Sequence, residues 1–329
     1  VQGDPTGAQI LLSRVRSLID AADSEPDEQL RRTRAFAELF LAHDPQTLSL
    51  AADHVRMFLH TAGATDNVDT HALFLLGWVE LRLRRDPVDA VRLLTAARRD
   101  ADAGGHHVLA GRATANLMLA YAHGGFFTAA RGLSARSAAE SPRAENTEWQ
   151  HYDGGIECMA QGLVEYWQNK LSAAESQFRL LLEQGGHGGS YAAMARVYLA
   201  LTAAATGDAR LMAEARSHLS GISAVEMHGV PWPAYRTLAD AKLVAATGDW
   251  PRTLALIEPL QRTSAIPVTS VLTAELYRKA GQLGTAMHIL GTVQRPGQTS
   301  YVKASALVSA AVIAHLQGQR SLAHQYLES

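Results

Sequence analysis

The sequence has a single cysteine and no excess of basic residues, and each absence excludes a class of protein. Cys158 has no second cysteine to pair with, so internal disulfides and CxxC zinc sites are excluded and a reducing compartment fits best. The 30 Lys and Arg residues face 32 Asp and Glu residues, which gives a net charge of −2. Because nucleic-acid-binding surfaces carry a basic excess, we expect no direct contact between this chain and DNA or RNA.

Segments that cross or anchor to a membrane are also missing from the sequence. No run approaches the length of about 18 consecutive apolar residues that a transmembrane helix needs. Residues 1–9, VQGDPTGAQ, lack the charged start and apolar stretch of a signal peptide. We therefore expect a cytoplasmic protein that makes no membrane contact.

Motifs of catalysis and cofactor binding are absent as well. The sequence contains no GxxxxGK[ST], GxSxG or HExxH motif and no GxGxxG after a strand pattern. The SxxK at 300–303 stands without the KTG and SDN motifs that accompany it in penicillin-recognising enzymes. His106 and His107 lie near Asp100, but adjacent side chains on a helix diverge and chelate poorly. We expect no enzymatic activity, no metal site and no cofactor in this chain.

The sequence does contain a repeated turn. The tetrapeptide ATGD stands at 205–208 and again at 246–249, each time between two apolar runs. Glycine ends a helix well because it adopts the left-handed conformation without a side-chain penalty, and the aspartate can cap the helix that follows. Similar turns recur at intervals of 33 to 44 residues, centred on His43, Arg85, Gly125, Asn169, Gly207, Gly248, Gly281 and Gly318.

Small residues recur at fixed distances from these turns. Five positions after the turn they are Ala90, Ala130, Ala174, Ala286 and Ala323, with the slightly larger Thr253 in one unit. Seven positions before the turn they are Gly162, Ala200, Ala241, Ala274 and Ala311. Small residues at both places allow two helices to lie close together, and apolar residues further on form one stripe of the second helix. The pattern predicts an all-α solenoid of about eight helix–turn–helix repeats.

Two segments carry a resemblance to a known repeat. ATGDWPRTLALIEPL at 246–260 and NKLSAAESQFRLLLE at 169–183 resemble the turn and second helix of a tetratricopeptide repeat (TPR), although most units exceed the usual length of about 34 residues. Long units rich in alanine and arginine resemble the sensor superhelix of MalT-like, LuxR-family ATP-dependent transcription regulators. This resemblance implies a right-handed superhelix in which residues 1–329 form one domain of a longer regulator, with an NTPase domain upstream and a DNA-binding domain downstream. Residues 8–21 are predicted as a second helix whose partner lies upstream.

Repeat register predicts which side chains face the concave surface of the superhelix. In the middle units this surface is apolar and aromatic, and an exposed apolar patch usually marks a binding site. The alternative is that a tightly wound superhelix packs these side chains against one another. Arg112 and His151 would supply polar anchors at the edge of the site. The full set of candidate effector-binding residues is Arg112, His151, Tyr152, Ile156, Met159, Leu163, Tyr166, Trp167, Met194 and Tyr235.

The segment MHGVPWPAYR at 227–236 is predicted as a non-helical link. Proline on both sides of Trp232 fixes an extended backbone that cannot continue a helix. The link either covers the groove or seals two repeats together.

The leading functional hypothesis is a non-enzymatic regulatory region. It would bind a small, apolar or aromatic effector in its concave groove and pass this signal, by a population shift, to the other domains of a LuxR/MalT-like transcription regulator. The alternative is a TPR scaffold that binds a peptide or a partner helix. The resemblance also implies ATP-dependent homo-oligomerisation of the full-length protein.

Overall fold

The structure is a computed structural model of the 329-residue chain. It describes residues 28–42, 44–61, 67–83, 87–140, 148–184, 189–222, 231–263, 266–293 and 300–329, together with Ile10, Ser13, Arg14 and Ser17. The second helix predicted at 8–21 lies almost entirely outside the described residues. Two of the predicted turn residues, His43 and Arg85, lie outside them too.

The described residues form sixteen α-helices and no β-strand. Short turns join consecutive helices into eight hairpins, each with a first and a second helix. The hairpins are α1 (Glu28–Leu41) with α2 (Pro45–Thr61), α3 (Asn67–Leu83) with α4 (Pro87–Ala103), α5 (His107–Gly124) with α6 (Phe127–Glu140), α7 (Glu148–Trp167) with α8 (Leu171–Gln184), α9 (Gly189–Thr206) with α10 (Ala209–Ser220), α11 (Trp232–Ala245) with α12 (Trp250–Thr263), α13 (Pro267–Lys279) with α14 (Leu283–Val293), and α15 (Ser300–Leu316) with α16 (Arg320–Glu328).

The predicted turn residues that the structure describes all have the left-handed backbone conformation. Their φ angles run from 59° to 80° at Gly125, Asn169, Gly207, Gly248, Gly281 and Gly318. The aspartate of each ATGD segment caps the helix that follows. The Asp208 carboxylate accepts hydrogen bonds from the backbone N–H groups of Arg210 (2.8 Å) and Leu211 (3.0 Å), and that of Asp249 accepts one from Arg252 (3.1 Å). The repeated tetrapeptide therefore ends one helix and starts the next.

The two helices of a hairpin approach closely at the predicted small residues. These are buried after the turn at Ala90, Ala130, Ala174, Ala286 and Ala323, and before it at Ala200, Ala241, Ala274 and Ala311. The fourth hairpin shows how little room remains. A Cβ added at Gly162 would lie only 2.4 Å from Cε1 of the fully buried Phe178 ring. Glycine at this position is therefore a packing requirement.

Successive hairpins stack through their first helices. In order along the chain, α3 packs on α5, α5 on α7, α7 on α9, α9 on α11, α11 on α13 and α13 on α15. One apolar core runs without interruption from Ala35 in α1 to Ile313 in α15. These contacts confirm the predicted all-α solenoid of TPR-like hairpins. None of the described helices is long and apolar enough to cross a membrane.

The solenoid also closes across its concave side. Helix α5 of the third hairpin contacts α15 of the eighth, although four hairpins separate them along the chain. Tyr166 in α7 lies close enough to Glu275 in α13 for the carboxylate to affect the pKa of the phenol. The third hairpin is thus matched with the eighth. The alternative of a self-packed concave surface is therefore the one that the structure shows.

Residues 232–236 of the segment predicted as a non-helical link at 227–236 are helical, so the prediction is wrong there, and residues 227–230 lie outside the described part of the chain. Pro231 is the N-cap of α11, and Trp232 and Pro233 are its first residues. Proline is tolerated there because the N–H groups of a first turn have no partner within the helix. The Trp232 side chain is buried, and its ring lies 6.1 Å from that of Tyr235. Trp232 therefore packs into the core of the sixth hairpin.

We expect Gly162→Ala to lower the free energy of unfolding by about 1–2 kcal/mol, because overpacking against Phe178 outweighs the gain in helix propensity. The matched control is Gly111→Ala in α5, where an added Cβ would meet no atom within 4 Å. This change should raise the free energy of unfolding by up to about 1 kcal/mol. Equilibrium urea denaturation measures both, and equal stability of the two variants would contradict the close helix contact.

Candidate functional site

Repeat register assigns five positions on each first helix to the predicted concave side, and we call them the concave positions. They lie 13, 10, 6, 3 and 2 residues before the turn residue. On α7 they are Ile156, Met159, Leu163, Tyr166 and Trp167.

The candidate residues predicted from sequence are mostly packed together in the structure. Arg112, Tyr166, Trp167 and Met194 are half-buried, and the side chains of His151 and Tyr152 lie outside the described ones. The buried members of the set are Ile156, Met159, Leu163 and Tyr235. The middle of the concave wall is therefore part of the core, and an effector could enter only by separating first helices that now touch.

The buried aromatic residues form a chain of rings that links three hairpins. The Phe178 ring stacks on that of Tyr198 with 5.1 Å between centroids, and the Tyr198 ring lies 5.9 Å from that of Tyr235. Trp232 extends the series at its other end. Tyr235, which was predicted to enclose an apolar effector, therefore also holds neighbouring repeats together.

A polar cluster lies in the middle of this apolar wall. Lys242 Nζ is 3.2 Å from Glu275 Oε2, and Lys279 Nζ is 3.0 Å from Glu275 Oε1. The Lys242 and Glu275 side chains are only 16% and 29% exposed. Both residues lie six positions before a turn glycine, so equivalent places on neighbouring first helices meet. Tyr166 of α7 lies near enough for the charge of Glu275 to affect the pKa of its phenol. We call these four residues, Tyr166, Lys242, Glu275 and Lys279, the concave polar cluster.

The electrostatics of the cluster keep its groups in fixed protonation states. Burial opposes the ionisation of Glu275, but the ammonium groups of Lys242 and Lys279 outweigh it and lower the pKa of Glu275 to about 2. Burial, the charge of Glu275 and the nearby Tyr235 together raise the pKa of Tyr166 above its ordinary value. At neutral pH the cluster therefore offers two ammonium groups, one carboxylate and a neutral phenol.

A second charged network lies on the second helices of the fourth and fifth hairpins. Arg179 Nη1 and Nη2 donate to the two carboxylate oxygens of Glu214 at 2.7 and 3.0 Å, and Arg179 Nε donates to Glu175 at 2.9 Å. His218 Nε2 lies 3.4 Å from Glu214. These groups line a depression with room for little more than a water molecule. Because its charges pair with one another, we assign this network to the packing of α8 against α10.

Within the described part of the chain, no three His, Cys, Asp or Glu side chains are arranged to hold a metal ion. The two aspartates near the His106–His107 pair contact arginines instead. Asp100 Oδ1 lies 2.9 Å from Arg99 Nη2, and Asp102 Oδ2 lies 3.7 Å from Arg98 Nε. The glycines before the histidines have a structural role, since Gly105 ends α4 with a φ of 70°.

Comparisons with known proteins give only a distant likeness. No protein-family model matches the chain, and no curated protein sequence matches it either. A solved structure described as the crystal structure of the apo form of RapI aligns with 98% of this chain and 91% of its own. The TM-score is 0.47 and the sequence identity is 12%. A likeness this distant carries no argument about function, and the family resemblance drawn from sequence stays a prediction.

The prediction from sequence missed Glu275 and Lys279, because it assigned concave positions only to the third to sixth hairpins. The same counting applied to Gly281 gives Glu275 six residues before it and Lys279 two residues before it. The spacing of these residues from the turn glycine therefore already indicates that both belong to the concave positions. The proximity of Tyr166 to Glu275, by contrast, depends on how strongly the solenoid curves.

We expect Glu275→Gln to destabilise the fold in a pH-dependent way. The pKa of this carboxyl group is about 2 in the folded state and 4.5 in the unfolded state, so its ionised form stabilises the fold at pH values above 4.5. This contribution is lost as the pH falls from about 5 to about 2. The variant should lose roughly 2 kcal/mol of unfolding free energy at about pH 7. Its difference from the wild type should shrink towards about pH 3.

Urea denaturation at both pH values measures this difference. The control is Asp89→Asn, which removes an exposed pair with Arg92 and should change stability by less than about 1 kcal/mol. A loss for Glu275→Gln that is equally large at both pH values would contradict the stabilising ion pair.

Proposed function

We propose that this chain is the effector-sensing region of a MalT-like, LuxR-family transcription regulator and that the effector binds in the middle of the concave wall. One observation carries the proposal, the pairing of Lys242 in α11 with Glu275 in α13 at 3.2 Å within an otherwise apolar wall, with Tyr166 of α7 near enough for Glu275 to affect the pKa of its phenol. Sites for small ligands combine apolar walls with a few convergent polar groups, and this cluster has both. We assign the protein to the cytoplasm.

The closed concave side explains how binding would be transmitted. The contact of α5 with α15 joins two hairpins that are far apart along the chain. An effector that enters between them separates the third hairpin from the eighth. It favours the open form only to the extent that it binds that form more tightly. The change in superhelical shape is then available to other domains of the regulator.

We propose binding rather than catalysis at this place, without a metal or cofactor. The concave polar cluster has an ionised carboxylate held by two ammonium groups and a phenol that keeps its proton. Such groups anchor and orient a ligand, and they lack the nucleophile–base pair that group-transfer enzymes use.

A protein-interaction scaffold is the second candidate, and exposed apolar residues favour it. At concave positions of the first hairpin, Leu30 and Phe40 are 41% and 54% exposed. In the eighth hairpin, Val308, Val312 and Leu316 are exposed on one stripe of α15. The ends of the concave wall are thus more open than its middle, and such stripes suit an amphipathic partner helix.

Spin labels on the outer helices test the proposed function. Ala135 in α6 and Gln325 in α16 are exposed and belong to the third and eighth hairpins, so cysteines there report the opening of the concave side. Cys158 is first replaced by serine. We expect a probe that binds (indole, 1-naphthol, 1-naphthaleneacetate or maltose) to raise the thermal unfolding midpoint and to lengthen the Ala135→Cys/Gln325→Cys distance in pulsed electron resonance.

The control pair is His288→Cys with Gln325→Cys on the adjacent seventh and eighth hairpins, whose distance should stay constant. A probe that raises the midpoint without moving the labels would contradict the opening. If no probe does either and an amphipathic helical peptide binds instead, the scaffold function replaces the sensor.

A further inference from the structure

The concave positions of the whole solenoid carry far more positive than negative charge. Counted over all eight hairpins, they include a single acidic residue, Glu275. The basic residues at these positions are Arg82, Arg112, Lys242, Arg278 and Lys279. The concave wall therefore has a net charge of +4, whereas the chain as a whole has a net charge of −2. The concave positions thus have a positive balance of charge that the chain as a whole does not have.

Packing alone does not account for these cations. Lys242 is 16% exposed and Arg278 is half-buried, so both side chains give up part of their hydration. The charge of Lys242 is offset by Glu275, but the guanidinium of Arg278 forms no ion pair or hydrogen bond with any residue in the described ranges. Its N–H donors are therefore available, and an anion that binds there would pair with them.

Arg278 lies next to the concave polar cluster. It follows Glu275 by three positions on α13, which places the two side chains on the same face of the helix. Lys279 is in the same last turn, where the helix dipole is negative and favours cations. The apolar concave positions of α11 lie beside α13, and those of α9 and α7 follow in order, because α11 packs on α9 and α9 on α7. One end of the site is therefore cationic and the remainder is apolar.

We propose that the concave wall binds an apolar molecule that carries a carboxylate. The carboxylate pairs with Arg278 at the end of α13, and the apolar body lies against the wall of the fourth to sixth hairpins. A planar guanidinium binds a carboxylate through two parallel hydrogen bonds, so one free guanidinium matches one carboxylate. This assignment rests on the proposed function, since it names the chemical class of the effector.

Calorimetric titration with 1-naphthaleneacetate and its uncharged amide tests the proposal. The two probes have the same apolar body and differ in the carboxylate. We expect the acid to bind the wild type at least tenfold more tightly than the amide, and Arg278→Met to remove this preference. Because Arg278 has no partner among the described residues, its replacement leaves no unpaired carboxylate behind, and thermal unfolding verifies that the variant is folded.

The matched control is Arg210→Met, which removes the same charge from an exposed position on the second helix α10 and should keep the preference. Added salt should weaken binding of the acid and leave the amide unchanged. Equal affinities for the two probes, or a preference that survives in Arg278→Met, would overturn this inference and leave the proposed function in place. If the acid does not bind but 1-naphthol still moves the spin labels, this inference also fails and the proposed function stands. If no probe binds at all, both proposals fail together.

Discussion

The close approach of two helices at a pair of small residues is the contact on which the rest of the structure depends. At Gly162 the space for even a methyl group is taken by the Phe178 ring. In hairpins packed this closely, the second helix lies against the back of the first. The first helices can therefore pack next to one another in a continuous row. A narrow row can curve strongly, and here it curves until α5 meets α15. Tight packing within each hairpin thus supplies the repeating unit, and the rotation from one hairpin to the next sets how far the row curves.

The parts of the fold that sequence predicts are those set by residues close together in the chain. A left-handed turn such as Gly248, a cap such as Asp208 and a small residue such as Ala174 each act within a few positions, so their spacing shows the hairpins directly. The curvature is the sum of small rotations between hairpins, and no local pattern records it. For that reason the proximity of α5 to α15, and of Tyr166 to Glu275, could be seen only in the structure. The error at Trp232 came from treating a first-turn proline as a helix breaker.

The concave polar cluster connects stability with the proposed function. Two partly buried charges lose hydration, and their attraction compensates for this loss only when the geometry is good, as it is between Lys242 and Glu275 at 3.2 Å. Such a pair adds little over an apolar contact but specifies which side chains meet. In this solenoid it fixes how the sixth and seventh hairpins are aligned. It also leaves charged groups where an effector can compete for them.

The concave wall is part of the core and is also the proposed binding surface, and these two roles have an evolutionary consequence. Leu163 and Tyr235 belong to the core, so a mutation that alters what they contact also alters whether the chain folds. Substitutions at half-buried positions such as Arg112 and Arg278 affect folding less. Homologous solenoids could therefore acquire new ligand specificities most readily through substitutions at the half-buried positions, while the buried apolar residues change little.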